Sequence, residues 1–208
     1  MALRTSLLLA EEFNNWSLSE LQVSVIMNGL LKEVAELSSS HNLTFLVRAD
    51  RFHVNKLQKL SIAQAYIKVF DITSDQAEEM AEMTQGYAYA FQLIGDLMYE
   101  ELSTGKNFED SWNYTKLAFK DTLFNQAYDV ISHELTEIDF QFLYEMSKNN
   151  NISAIIEKMG KSKQYVNIYR TKLIKYDLIK TIIRGKLGFT LPLFREFIQA
   201  KYDELNWG

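Results

Sequence analysis

The hydrophobic pattern between residues 136 and 191 changes from helical spacing to alternation, which predicts three helices followed by a β-hairpin. Thr136, with Asp139 three residues later, resembles a capping box that opens the first helix. Gly160 is expected to end the second helix in a left-handed conformation, and Ser162 to cap a third helix that runs to about residue 176. The positions predicted to be buried are Ile138, Phe142, Leu143 and Met146, then Ile152, Ile155, Ile156 and Met159, then Val166, Tyr169 and Leu173.

A hairpin and a last helix complete this unit. The asparagines at 149–151 are expected to end the first helix, and Pro192 suits the first turn of a last helix at 193–205. Two short helices joined by a glycine-containing turn, followed by a hairpin, predict a winged helix-turn-helix. The alternating positions of the hairpin are Ile179, Thr181 and Ile183 before the turn at 184–186, and Leu187, Phe189 and Leu191 after it.

The chain is expected to be helical from residue 61 to 132 as well, because one proline and eight glycines leave few helix breakers. Before this region, the apolar run 21–27 is typical of a buried strand, and residues 52–54 are a second short strand candidate. Asn28 follows the run, either where ligands bind or as half of an Asn-Gly turn. The predicted helices are 61–70, 75–83, 87–102 and 110–132.

Charge is distributed unevenly along the chain, whose formal net charge is −5. Residues 1–150 carry 11 basic and 22 acidic side chains, a balance of −11, whereas residues 151–208 carry 11 basic and 5 acidic, a balance of +6. The segment 148–186 alone has ten Lys or Arg against two acids. Such a concentration of positive charge suggests a surface that binds a polyanion.

The winged helix-turn-helix would place basic and polar side chains against duplex DNA. A recognition helix presents its first residues to base edges, where Gln and Asn can read adenine and Arg or Lys guanine. Ile168 lies near the same face and suits only a thymine methyl. The alternative is a protein-interaction module whose cations are ordinary solvated surface. The predicted DNA-binding residues are Lys161, Ser162, Lys163, Gln164, Asn167 and Arg170 on the third helix, and Arg184 and Lys186 at the wing tip.

Other kinds of site find little support in the sequence. There is no cysteine, the three histidines show no ligand spacing, and no nucleophile–base arrangement is visible, so neither a metal site nor a catalytic residue is predicted. Gly160-Lys161-Ser162 resembles the end of a P-loop, but that motif needs a glycine at position 155, which is isoleucine. With no signal-peptide core and no apolar run of about 18 residues, the chain is predicted to be cytoplasmic.

Four sequence stretches occur in a recognisable order. They are residues 43–49 (LTFLVRA), 84–92 (TQGYAYAFQ), 159–174 (MGKSKQYVNIYRTKLI) and 189–196 (FTLPLFRE). Together they resemble the C-terminal half of prokaryotic AAA+ ATPases related to the archaeal and initiator types. The resemblance implies a remnant of the ATPase α/β core at 1–60, a helical lid domain at 61–132 and a winged-helix domain at 133–208. The predicted fold class is therefore mainly α, with these three parts.

The resemblance also implies two nucleotide-sensing positions. Asn28 would match the sensor that detects the γ-phosphate. Arg48 would match the region of the arginine finger, which neutralises charge on the transferring phosphoryl group. For Arg48 the alternative is a structural ion pair at the surface.

The chain departs from the AAA+ pattern in ways that bear on activity. It has no G-x-x-x-x-G-K-[ST] motif, no apolar strand ending in Asp-Glu, and no lid arginine within residues 86–92. We therefore expect no ATP hydrolysis and no cofactor in this chain, since ATP and Mg²⁺ would bind only together with a P-loop region. The chain is interpreted as a truncated fragment of an AAA+ ATP-binding protein.

Two questions stay open at this point. The strand at 21–27 would have open edges, so it is expected to pair with a second copy as a homodimer, to be covered by residues 1–20, or to be disordered. The fragment would either bind duplex DNA or belong to a switch-type ATPase whose basic wing half is a protein-interaction module or packs on the acidic lid. Burial of Lys161, Lys163 and Arg170 against residues 61–132 would favour that intramolecular clamp.

Overall fold

The computed structural model describes residues 55–206, together with Glu12, Trp16 and Asp50. Within these residues the chain is mainly α and contains one two-stranded antiparallel sheet, which confirms the predicted mainly α fold. Between residues 55 and 206, no helix has both the length and the apolar character that a membrane crossing requires. The predictions that lie outside the described residues are the strands at 21–27 and 52–54, the sensor Asn28, the arginine-finger candidate Arg48 and the pairing of a core remnant with a second copy.

Four helices pack against one another in chain order. Three of them match the predicted helices 61–70, 75–83 and 87–102 to within two residues at each end. The Tyr66 hydroxyl donates to the carbonyl oxygen of Phe91 at 2.8 Å, and Trp112 Nε1 donates to Glu79 Oε1 at 2.6 Å, so each of these two donors finds an acceptor on another helix. The four helices are α1 (Lys59–Val69), α2 (Ser74–Thr84), α3 (Ala88–Ser103) and α4 (Phe108–Thr122).

The predicted helix at 110–132 is helical throughout, within the longer span 108–133, but it is not a uniform α-helix. α4 runs into a π-helix at Leu123–Tyr128, which is followed by the short helix α5 (Asp129–His133). In the π-helix, Tyr128 is fully buried, and its hydroxyl donates to the carbonyl oxygen of Pro192 at 2.5 Å. Its ring also meets the ring of Phe194 edge-on at 5.1 Å. Hydrophobic spacing does not distinguish π from α turns, so the sequence pattern could not show this change.

The C-terminal unit has the order of elements expected for a winged helix-turn-helix. Thr136 and Asp139 form the predicted capping box, with Thr136 N donating to Asp139 Oδ2 at 2.9 Å and Asp139 N to Thr136 Oγ1 at 3.3 Å. Gly160 ends the second helix with φ of 62°, and Ser162 Oγ accepts from Tyr165 N at 3.2 Å, as predicted. The elements are α6 (Glu137–Lys148), α7 (Ile152–Met159), α8 (Lys163–Lys175), β1 (Ile179–Ile183), β2 (Lys186–Phe189) and α9 (Phe194–Asn206).

The hairpin and last helix differ from the prediction in detail. Thr181 pairs with Leu187 and Ile183 with Lys186, so β1 carries an extra residue, which makes a β-bulge. This bulge ends the expected alternation, and only the first position of β1 is buried. The last helix begins at Phe194 rather than at residue 193, because Leu193 has φ of 55°, a conformation that a helix cannot include. Four positions predicted to be buried are only half-buried, namely Ile138, Ile152, Ile156 and Tyr169.

The segment between α6 and α7 joins the hairpin, which the sequence pattern did not indicate. Leu187 N donates to Asn150 O at 3.0 Å, and Ile152 N donates to Gly185 O at 2.9 Å. Asn151 and Lys186 form an antiparallel bridge. The asparagines therefore end a helix, as predicted, and also join the β-hairpin to the segment that precedes α7.

Candidate nucleic-acid interface

The first half of α8 and the turn before it form an exposed polar surface. Val166 and Leu173 are fully buried and fix which side of α8 faces the core. At 100° per residue, Gln164 then lies on the opposite side of the helix. The side chains that the structure exposes on this surface are Lys161, Ser162, Lys163, Gln164 and Asn167, all of them predicted to bind DNA.

Ser162 has a structural bond as well as an exposed position. Its Oγ accepts the N–H of Tyr165, which satisfies one of the unpaired N–H groups at the start of α8. A hydroxyl that accepts one bond can still donate its proton, and a phosphate oxygen is a strong acceptor for it. The cap therefore orients a hydrogen-bond donor at the tip of the predicted recognition helix.

Ile168 shares the exposed side of α8 with Gln164. Its side chain is 64% exposed, which is high for an isoleucine. On a helix that meets a major groove, the feature suited to such a side chain is the thymine methyl group. The middle of the surface is thus apolar, and the cations lie towards its N-terminal end.

Arg170 is placed differently from the other predicted residues. It is half-buried, and its Nη2 donates to Thr181 Oγ1 of β1 at 3.0 Å. Its Nη1 approaches Asn167 Oδ1 at 3.4 Å, and its Nε is buried without an acceptor. Arg170 therefore joins α8 to the wing instead of projecting from the exposed side of the helix.

The wing tip presents the other two predicted cations. Arg184 and Lys186 are exposed on either side of Gly185, whose φ of 84° suits a tight turn. The bridge between Lys186 and Asn151 fixes the position of this turn. Beside it, Ile182 and Ile183 are 56% and 58% exposed, so the wing is apolar as well as basic.

Among the described residues, the cations of this surface have no carboxylate partner, unlike Lys59, Lys106 and Lys116 of the helical region. Lys59 pairs with Glu82, and Lys106 with Glu101. Across residues 55–206, by contrast, no ion pair involves Lys161, Lys163, Arg170, Arg184 or Lys186. Positive charge without internal compensation is the electrostatic condition for binding a polyanion.

Comparison with known proteins gives one match. A family model described as Domain of unknown function (DUF8462) matches residues 125–198, less than half of the chain. The matched stretch begins inside the π-helix and ends inside α9, so it contains α6 to β2 complete. No curated protein and no solved structure matches the chain. The resemblance to AAA+ ATPases therefore stays a prediction.

Proposed function

We propose that residues 136–206 form a DNA-binding module in which α8 enters the major groove of a duplex and the wing tip contacts the backbone. The observation that supports this most directly is the exposed first half of α8 and the turn before it, where Lys161 and Lys163 form no ion pair and lie beside two amide side chains. Lysines that neutralise phosphates release counterions, which favours binding and makes it dependent on salt.

The exposed side of α8 suits A·T base pairs. Gln164 and Asn167 are of the residue types that bind adenine through two hydrogen bonds, and Ile168 offers an apolar contact for a thymine methyl. Burying Ile168 against a methyl group also removes apolar area from water. The bound sequence should therefore contain A·T pairs at the centre of each contacted site.

A second function, the docking of a protein partner, is favoured by the exposed isoleucines. Ile168, Ile182 and Ile183 are each more than half exposed and belong to the same unit. For the intramolecular version of this alternative, Lys161, Lys163 and Arg170 would have to be buried against residues 61–132. Both lysines are exposed, and the described hydrogen bonds of Arg170 go to Asn167 and Thr181, so the intramolecular version is the less supported one.

The wider role that we propose follows from the resemblance in the sequence. The module would be the DNA-binding end of an AAA+ ATP-binding protein, with residues 61–132 as its lid. ATP and Mg²⁺ would enter only through a P-loop region, since this chain has no such motif. The chain itself is not expected to hydrolyse ATP.

Fluorescence anisotropy with a labelled duplex of about two helical turns tests the DNA-binding proposal. The affinity of the wild-type chain should fall steeply between about 50 and 200 mM salt. The double variant Lys161→Glu/Lys163→Glu should bind more weakly and lower the logarithmic salt slope by about two, because it removes two phosphate contacts.

A matched double variant distinguishes the effect of this local surface on DNA affinity from the effect of net charge. Lys68→Glu/Lys120→Glu changes the net charge equally, and both lysines are exposed on α1 and α4. This control should bind DNA nearly as tightly as the wild type. Equal losses in both variants, or no wild-type binding at low salt, would refute the proposed function. If neither the wild type nor the variants bind the duplex, while the wild type binds a protein partner and Ile168→Asp abolishes that binding, the docking alternative is favoured.

A further inference from the structure

A cleft of about 310 Å³ separates α7 from α8 on the winged unit. Its lining combines two cations, two neutral polar groups and two isoleucines, with no acidic and no aromatic side chain. The apolar side chains lower the local dielectric, which strengthens the interaction of the cations with any anion that enters. The lining residues are Ile152, Ser153 and Ile156 of α7 and Lys163, Asn167 and Arg170 of α8.

Arg170 carries positive charge in this cleft without an anion to balance it. Its two described hydrogen bonds go to neutral oxygens, Asn167 Oδ1 and Thr181 Oγ1, and its Nε has no acceptor. A half-buried guanidinium with an unused N–H is costly unless a ligand supplies the missing acceptor. Each Nη atom carries two N–H groups and uses one of them in these bonds, so the guanidinium can still donate to an oxyanion that enters the cleft.

We infer that this cleft binds one phosphate group of the DNA backbone, with Arg170 and Lys163 as its cationic contacts. The inference rests on the proposed function, which it deepens by naming a backbone contact. Lys163 and Asn167 line the cleft and also belong to the exposed surface of α8, so a strand that meets this surface passes the cleft. A base or a free nucleotide is disfavoured, because the cleft has no aromatic side chain to stack on a ring and the Arg170 guanidinium is held by Asn167 and Thr181.

The donors of the cleft suit a phosphate. Asn167 Oδ1 faces Arg170, which turns the Asn167 amide nitrogen and its two donors away from the guanidinium. The remaining Nη–H groups of Arg170, the Lys163 ammonium and the Asn167 amide together can donate to different phosphate oxygens. Ser153 adds a hydroxyl from α7. Arg170 is therefore a backbone-binding residue, which differs from the base-reading role that the sequence suggested.

Thr181 is a positioning residue in this arrangement. Its hydroxyl oxygen accepts from Arg170 Nη2 at 3.0 Å and holds the guanidinium between α8 and β1. Valine at this position has nearly the same shape and cannot accept the bond. Thr181→Val should therefore weaken the phosphate contact indirectly, because residue 181 acts through Arg170 and not on the phosphate itself.

Methylphosphonate scanning of the duplex tests the inference, since each substitution removes the charge of one phosphate. For the wild-type chain, one position facing the cleft should weaken binding about tenfold, as expected for a charge-assisted hydrogen bond. In the Arg170→Met variant, the methylphosphonate at that position should weaken binding no further. In the Thr181→Val variant, it should weaken binding less than it does in the wild type. Lys186→Ala, the matched control, should bind more weakly overall but keep the full tenfold effect at that position.

Each outcome decides one claim. If the wild type binds DNA and Arg170→Met keeps the sensitivity to every methylphosphonate, the cleft does not hold a phosphate, while the proposed function stands. If the wild type binds no DNA, the proposed function fails and this inference with it. The NMR resonance of Arg170 Nε–H should shift with DNA. A shift with inorganic phosphate and none with DNA would assign the cleft to a free anion and overturn the backbone contact.

Discussion

Replacing Lys172 with methionine should destabilise the winged unit by leaving a buried carboxylate without its cation. Asp139 is completely buried, and its Oδ2 accepts from Lys172 Nζ as well as from the N–H and the hydroxyl of Thr136. Its Oδ1 has no partner. Methionine keeps the length of the lysine side chain and its packing, so the change isolates the loss of the ammonium group.

The magnitude follows from the burial of the two groups. Removing one member of a buried ion pair costs about 3–5 kcal/mol. The Lys172 side chain is 28% exposed and Thr136 keeps both of its bonds, so the lower end, about 3 kcal/mol, applies. For a unit the size of residues 136–206, that corresponds to a fall in melting temperature of about 12–24 °C.

Urea unfolding followed by circular dichroism measures this change. Lys158→Met, an exposed lysine of α7, is the control and should change the free energy of unfolding by less than about 0.5 kcal/mol. Asp139→Asn combined with Lys172→Met should recover much of the loss, because an amide carries no charge and still accepts from Thr136. A loss below about 1 kcal/mol in Lys172→Met, or a double variant as unstable as the single one, would refute the reasoning.

Three further changes have expected outcomes. Tyr128→Phe should cost about 1–3 kcal/mol in urea unfolding, because the buried carbonyl of Pro192 loses its donor; an unchanged midpoint would contradict this. Gly160→Ala should cost about 1 kcal/mol through its φ of 62° alone, because no atom lies within 4 Å of an added Cβ, and a larger loss would indicate a clash. The hydrogen bond from Lys201 lowers the pKa of Asp129 from its ordinary value of 3.8, so this carboxylate contributes stability above about pH 4 that is lost as the pH falls through its folded pKa. The melting temperature of Asp129→Asn should therefore fall less steeply than that of the wild type as the pH is lowered. An equally steep fall in both proteins would exclude the contribution.

Local chemistry allowed the elements of the winged unit to be predicted. The capping box at Thr136, the left-handed Gly160 and the cap at Ser162 each depend on residues within three positions of one another, so the sequence contains the whole signal. The same is true of the exposed surface of α8, because helical periodicity determines which positions oppose the buried Val166 and Leu173.

Contacts between distant residues could not be predicted in this way. Asp139 and Lys172 are 33 positions apart, and no periodicity links them. The bond from Arg170 to Thr181 depends on how the wing packs against α8, so the sequence suggested a base-reading arginine where the structure has a half-buried one. Leu193 adopts a left-handed conformation that leucine usually avoids, so the sequence did not predict it.

The bulge in β1 also affects how the protein behaves at high concentration. The bridge to Asn151 covers one side of the hairpin, which leaves β1 as the edge strand of the described sheet. An edge rich in exposed isoleucine is a template on which another chain can add a strand and start aggregation. The extra residue at Ile182 interrupts the hydrogen-bond repeat, and the exposed charges of Lys180 and Arg184 repel a second copy. The same cations that suit the wing to a polyanion therefore help to keep the molecules apart in solution.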